Sequence, residues 1–357
     1  MPLPKTALPD GLISTTLLWM ESLGIDTLRA FVSDLGIDAF GVAPLDVPDY
    51  REYIHSWMQE QQYGEMEWMA NGLDKRLQPS DVLPEARSLL CFLFSYHQEP
   101  PFREGRIARY ALGKDYHKIC LKKLKQVCSF LQEHGGINRP YVDTGPVLEK
   151  NHAQRAGLGW IGKHTNLIHP KLGNFTFLGV IFTSLEFPLS APTVNRCGTC
   201  RRCMDVCPTG AIVAPYAMDA RKCISYLTIE HKGSIPTELR PLIGDHLYGC
   251  DDCLAACPWN RWARTTAETR FHAQDYPNLS TMLCWDEETF REVFAGTPIK
   301  RVGLIRWKRN ACVVLGNIGR KEHIPVLQQI EAGSDELLVE HAAWAIQQII
   351  QREAVHG

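Results

Sequence analysis

The densest chemistry in the chain lies between residues 197 and 258. Cys197, Cys200, Cys203 and Cys207 precede Pro208 as C-x2-C-x2-C-x3-C-P, and Cys250, Cys253 and Cys257 precede Pro258 as the same run without its first cysteine. Cys223 lies between the runs and can supply an eighth thiolate. This is the spacing of bacterial [4Fe–4S] ligation, in which the fourth cysteine of a run serves the other cluster of a pair. On that crossed rule Cys197, Cys200, Cys203 and Cys257 hold one cluster, and Cys207, Cys223, Cys250 and Cys253 hold the second. Two-residue gaps let a tight turn aim three sulfurs at one cube. The three-residue step sends the next sulfur the other way, and proline stops the turn from continuing as helix. Structural zinc would ask for four ligands per site in paired C-x2-C units, and a proline after each terminal cysteine is no part of that pattern. Disulfides suit an exported chain. Residues 1–24 carry one lysine and an apolar patch at Leu12, Ile13, Leu17, Leu18 and Trp19, without a charged leader or a clear cleavage site, so they read as a helix rather than a signal peptide. No run is long and apolar enough to be a transmembrane span, and a cytoplasmic location is expected.

A second constellation follows a predicted strand at residues 139–142: Asp143, Thr144, Gly145 and Pro146. Asp143 reads either as an Asx-turn aspartate or as an acid at the lip of a pocket, where partial burial would raise its pKa and let it donate a proton. Two other motifs carry less. Gly157, Gly159 and Gly162 match G-x-G-x-x-G, but a helix-like segment precedes them and a strand-like one follows, the reverse of a dinucleotide site. Asp115 and His117 begin D-x-H-x-x-G, a signature of histidine-ligated cobalamin, but Cys120 stands where its glycine belongs and Asp115 reads equally well as a helix N-cap.

The elements that must hold these groups follow from pattern. Helices are expected over 17–36, 50–71 (interrupted at Gly64, with Trp57, Tyr63 and Trp68 on one face) and 149–156, and strands over 38–42, 88–96, 139–142 and 174–184, the apolar run SLLCFLFSY being a buried strand. Residues 73–84 and 263–284 read as loops. Cys120, Leu124, Val127, Cys128 and Leu131 form the stripe of a further helix whose lysines are either a solvated face or a basic patch. Interleaved strands and helices give an α/β or α+β domain over 1–185, then a ferredoxin-like domain over 186–262 with two clusters. A helical region follows over 263–357, where residues 309–318 are echoed by 341–349 in the manner of a HEAT-type repeat. Lys300, Arg301, Arg306, Lys308, Arg309, Arg320 and Lys321 face one acid, Glu322, in that region, a patch able to grip phosphates. The 357 residues carry 45% hydrophobic and 22% charged side chains and a net charge of −2, so bulk charge marks no polyanion binder. Of thirteen cysteines, Cys91, Cys120, Cys128, Cys284 and Cys312 fall outside the motifs, and most sit among apolar neighbours as small core residues.

Together the segments 109–117 (RYALGKDYH), 142–146 (VDTGP), 156–163 (AGLGWIGK), 207–212 (CPTGAI), 221–228 (RKCISYLT) and 248–253 (YGCDDC) give a chain that resembles the epoxyqueuosine reductases over almost its whole length. The resemblance implies an N-terminal cobalamin-binding domain with no histidine beneath the cobalt. Asp143 would stand where that family's proton donor stands. Arg76, Ala108, Leu167, Leu178, Ser225 and Asp252 would be cofactor-contacting positions, and the basic helical C-terminus a tRNA-binding part in which Arg301, Arg306, Lys308 and Arg309 are the candidates. It implies reduction of the epoxide of epoxyqueuosine, at the tRNA wobble position, to queuosine. Two electrons would come from an external donor through the clusters and cobalamin, and Asp143 would protonate the departing oxygen. Nothing points to an obligate dimer. A reductive dehalogenase-like enzyme would share the cofactors but not need the basic helical tail, and a bare electron-transfer module would leave the front domain unexplained.

Overall fold

The computed structural model describes residues 23–101 and 104–356. The apolar patch at Leu12 to Trp19, and the first part of the helix expected over 17–36, lie outside the described residues; Ile25–Asp34 is helical.

Four strands, β1 (Ala39–Ala43), β2 (Ser88–Ser95), β3 (Asn138–Tyr141) and β4 (Thr176–Thr183), form one sheet in the order β1-β2-β4-β3, and every pairing is antiparallel. The first domain is therefore α+β rather than α/β. All eight residues of β2 are buried, because both faces of the sheet are covered, and the alternation of a strand divides them. Leu90, Phe92 and Phe94 meet the helices Ile25–Asp34 and Tyr116–Glu133 on one face, while Leu89, Cys91 and Leu93 meet Ala153 of the helix Glu149–Arg155 and its C-cap Ala156 on the other. Gly41 makes this close approach possible: a Cβ there would lie 2.2 Å from the carbonyl oxygen of Ala156.

The expected helix over 50–71 stops at Gln59. Gln61 and Gly64 take positive φ values of 50° and 63°, which turn the chain back so that the rest of the segment packs as loop and one 3-10 turn. Residues 73–84 and 263–284, expected as loops, contain the short helices Leu73–Leu77 and Leu279–Leu283.

The cluster-motif region carries two four-residue helices, Arg202–Asp205 and Asp252–Ala255, that pack together. A single hydrophobic cluster runs from Ile224, Leu227 and Tyr248 into Trp307, Val314 and Ile349, so the cysteine-bearing segment and the C-terminal helices Leu304–Ile318 and Glu336–His356 share a core. Among the described residues no helix is long and apolar enough to cross a membrane.

Candidate functional site

Asp143 sits immediately beyond β3 with φ +59°, a left-handed conformation uncommon outside glycine. The Thr144 N–H donates to the carbonyl of Val142 at 2.6 Å and closes the turn around it. This geometry presents the carboxylate to the two residues that open the helix Tyr116–Glu133. Tyr116 Oη donates to Asp143 Oδ2 at 2.5 Å, and His117 Nε2 lies 3.2 Å from the same oxygen. His117 Nδ1 is 2.8 Å from Asp115 Oδ1, which also caps the helix by accepting from the His117 backbone N–H at 3.1 Å. The N-cap reading of Asp115 thus holds, and its carboxylate orients His117 as well.

The direction expected for Asp143 is reversed. Burial pushes its carboxyl up, but the hydrogen bonds from His117 and Tyr116, with the charges of His117 and Arg301, outweigh that and leave it below its ordinary range. The side chain is 59% exposed. Burial disfavours the charged ring of His117, yet its bonds to Asp115 and Asp143 and their charges push it up to about 9. At neutral pH the proton of the pair rests on the histidine.

Asp143 lines a cavity of about 420 Å³ whose walls include Tyr53, Trp57, Met69, Arg76, Glu149 and Asn151. Arg76 is anchored through Nη1 to the carbonyls of Asn71 (2.5 Å) and Met69 (3.2 Å). The walls are mainly aromatic and aliphatic, but Glu149 Oε1 and both amide atoms of Asn151 are shielded from solvent without a hydrogen-bond partner. Such orphans ask for a ligand with polar groups on its rim. Among the described residues no histidine or cysteine lines the cavity. A corrin with amide side chains fits this donor set.

The cofactor candidates are spread. Arg76 and Asp143 line the first cavity, and Ala108 and Asp252 line a second of about 380 Å³ beside Cys250. Leu167, Leu178 and Ser225 line neither of these. Leu167 and Leu178 belong to the apolar layer between the sheet and the helix Glu149–Arg155. Asp252 is held by Arg106 at 2.9 Å and His246 at 3.1 Å.

None of the thirteen cysteines forms a disulfide. Burial first, and then the charges of Cys197, Cys203 and Cys200, push the thiol of Cys257 up to about 11. Cys253 is raised by burial and by Cys223 and Cys207, and Cys250 by burial, Asp252, Cys253 and Cys223. Cys257 thus lies near Cys197, Cys200 and Cys203, and Cys250 and Cys253 lie near Cys223, with Cys207 also near Cys253. Cys253 also feels Cys203, so the two sets adjoin. Lys163 Nζ fastens the first run by donating to the carbonyls of Gly198 (2.7 Å) and Cys200 (2.9 Å). Of the remaining cysteines, Cys284 is exposed rather than core.

The basic C-terminal patch needs correction. Arg309 is 0% exposed, and its guanidinium donates to the carbonyls of Leu227, His231 and Gly233 at 2.7–2.8 Å. Arg306 donates to Val302, Ile229 and Arg301 carbonyls. Both are internal brackets between the helix Leu304–Ile318 and the cysteine-bearing segment, because a half-buried arginine satisfies its five donors on whatever carbonyls are near. Lys308 is half-buried, while Lys300, Arg301, Arg320 and Lys321 are exposed. Arg301 is ion-paired with Glu230. Lys118, Lys122 and Lys125 form the solvated face of the helix Tyr116–Glu133. Sequence reasoning missed Tyr116 and His117 as partners of Asp143, and Glu149 as a cavity residue. The adjacency of Tyr116 and His117 to the helix cap was the available signal.

The comparisons with known proteins agree with one another. The family model for epoxyqueuosine reductase QueG, DUF1730, matches residues 76–144, and that for a 4Fe-4S double cluster binding domain matches residues 196–260. The Escherichia coli (strain K12) epoxyqueuosine reductase is 41% identical over 334 residues, which span 89% of this chain and 88% of that one. The Pseudomonas aeruginosa epoxyqueuosine reductase is 40% identical, spanning 90% and 93%. A crystal structure of an epoxyqueuosine reductase with an epoxyqueuosine-modified tRNA-Tyr stem loop superposes with a TM-score of 0.83 at 29% identity, over 91% of this chain and 89% of that one.

Proposed function

The chain belongs to the epoxyqueuosine reductase family and is an oxidoreductase that reduces epoxyqueuosine in tRNA, and from that premise we propose that Asp143, supplied by His117, delivers a proton to the epoxide oxygen. The observation that carries this is the bond between Asp143 Oδ2 and His117 Nε2 at the wall of the cavity. An alkoxide leaves poorly, so the oxygen needs an acid within reach. Asp143 is too acidic by itself to hold a proton at neutral pH, and His117 beside it holds one. When the oxygen develops negative charge the proton passes from Nε2 through Oδ2 to it. Asp115 steadies the ring for this transfer, and Tyr116 fixes the carboxylate.

Residues 196–260 form a double-cluster domain, and the two sets of four cysteines are the proposed ligands. Arg76, Asp143, Asn151 and the aromatic wall would hold cobalamin, and no histidine is proposed as its ligand; Ala108, Asp252, Leu167, Leu178 and Ser225 would be its further contacts. When bound, the clusters supply single electrons and cobalamin a strongly reducing cobalt suited to breaking a carbon–oxygen bond. The chain's own residues position the modified base, exclude water and move protons. A tRNA stem loop is the substrate that the relative's complex supports, and the exposed Lys300, Arg301, Arg320 and Lys321 are the proposed phosphate contacts. The charge of Arg301 reaches Asp143 and Tyr116, so it stands nearest the reaction. A cytoplasmic, monomeric enzyme drawing on an external electron donor fits this reading.

The test is anaerobic turnover of epoxyqueuosine-bearing tRNA with cobalamin and a low-potential reductant, read by nucleoside mass spectrometry. Queuosine formed with cobalamin and not without it is expected. No queuosine from fully loaded protein would overturn the assignment.

A further inference from the structure

The reaction removes the epoxide oxygen as water. Two C–O bonds break, one C=C π bond forms, two electrons enter from the external donor, and two protons must reach the one oxygen. The His117–Asp143 pair carries one of them at neutral pH. Tyr116 is held on Asp143 with its hydroxyl pushed well above its ordinary range by burial and by that carboxylate, so it keeps its own proton.

We propose that Glu149 is the second proton donor of the site, a neutral carboxyl facing the same cavity as Asp143. Glu149 opens the helix Glu149–Arg155 and lines the cavity together with Asp143. Its Oε1 is shielded from solvent and has no partner among the described residues, although a carboxylate accepts hydrogen bonds at both oxygens and a lone buried one is costly. The groups that face it are Asp143 in the turn, Arg76 across the cavity, Lys150 beside it in the helix, and the Cys91 thiol behind it on β2. Lys150 Nζ is committed to the carbonyl of Thr165 at 3.2 Å and to Asn166 Oδ1 at 3.0 Å, and Arg76 to the carbonyls of Met69 and Asn71, so neither cation forms a recorded bond to the carboxyl. Burial, and then the charge of Asp143, push Glu149 up to about 8 against the weaker pull of its own backbone N–H, Lys150 and Arg76. The burial-raised acid that the sequence suggested at Asp143 is thus found six residues on. Each carboxyl keeps to one state: Asp143 ionised against His117, Glu149 neutral against Asp143. Two acids in one cavity with their proton affinities pushed apart can act in sequence on one oxygen.

This inference rests on the epoxide-reductase reading. Single-turnover queuosine formation by the holoenzyme would be followed from pH 6 to 10 for wild type, Glu149→Gln and Glu149→Asp, with iron and cobalamin contents measured on each. Infrared spectra of the cofactor-free proteins would be taken over the same range. Wild type is expected to lose rate as pH rises through about 8. Glu149→Gln should be about a hundredfold slower at pH 7, with cofactor contents unchanged and that limb gone, and Glu149→Asp should restore rate and limb in part. A protonated-carboxyl C=O band should titrate near the same pH in wild type and be missing in Glu149→Gln. Three results would overturn the inference: a Glu149→Gln variant as fast as wild type with the same limb, one that loses its cobalamin, or the absence of the band. Wild type forming queuosine in the first of these would leave the reductase reading standing, whereas no queuosine from wild type would remove both.

Discussion

His117 Nε2 and Asp143 Oδ2 stand 3.2 Å apart, and the proton they share rests on the histidine, because Asp115 holds the far side of the ring at 2.8 Å. His117→Gln keeps a hydrogen-bonding group beside Asp143 but removes the proton store. Turnover should fall about tenfold to a hundredfold. As pH falls toward the carboxylate range, where Asp143 can take its proton from water, the gap to wild type should narrow. Rates at pH 5.5, 7 and 8.5 for the two proteins check this.

The same contact links folding to pH. The His117 pKa is raised from 6.5 to about 9, so its contribution is fully present below about pH 6.5 and lost as pH rises through about 9. Asp143 is depressed, so its contribution is present above its ordinary pKa and fades as pH falls through the lower, folded value. Urea unfolding should show wild type losing about 1–2 kcal/mol more than His117→Gln between pH 6 and 10, allowing for partial solvent screening.

Asp143→Asn tests the acid itself. Asparagine tolerates the left-handed conformation at φ +59° and still accepts from Tyr116, so the fold should hold while the melting temperature falls by no more than the loss of the His117–Asp143 ion pair. Queuosine formation should drop about a hundredfold or more, since the amide cannot pass a proton. Asp143→Ala should match it in activity while showing a larger loss of stability.

How legible this was depended on the kind of signal. The eight cysteines were readable because ligand spacing is local, and β2 because SLLCFLFS is apolar on both faces. Gly157 and Gly159 matched a dinucleotide motif for an unrelated reason: added Cβ atoms would lie 2.1 Å from the carbonyl oxygens of Ala191 and Ile168, so both glycines serve close backbone packing. The antiparallel topology was not readable, because pairing partners are set by contacts far apart in the chain. The roles of Arg309 and Glu149 were hidden for the same reason. An arginine in a basic run looks like a phosphate contact until the carbonyls of Leu227, His231 and Gly233 are seen around it, and burial of a carboxyl at a helix start depends on the cavity that other segments build.

That distinction separates two arginine variants. Arg309→Met should leave three buried carbonyls short of a donor and lower unfolding free energy by about 2–4 kcal/mol, with tRNA affinity of the folded fraction and its salt dependence unchanged. Arg301→Ala breaks the partly exposed ion pair with Glu230, so stability should fall by no more than about 1 kcal/mol. Its tRNA affinity should fall, and the slope of log affinity against log salt should shrink by about one. Filter binding across a salt series, beside urea melts, reads both.

The proposed division of the cysteines predicts which losses travel together. Cys257 lies beyond Cys253 in sequence, yet its neighbours are Cys197, Cys200 and Cys203. Cys257→Ser and Cys197→Ser should therefore perturb the same cluster, and Cys253→Ser and Cys207→Ser the other. Each variant should retain about four of eight irons. Electron paramagnetic resonance of the reduced proteins should give one surviving signal for the first pair and a different one for the second. If clusters instead followed the order of the chain, Cys257→Ser would resemble Cys253→Ser. The adjoining sets, seen in the reach of Cys203 to Cys253, should also make the wild-type spectrum broader than the sum of the two single-cluster spectra, because two reduced clusters at that separation couple their spins.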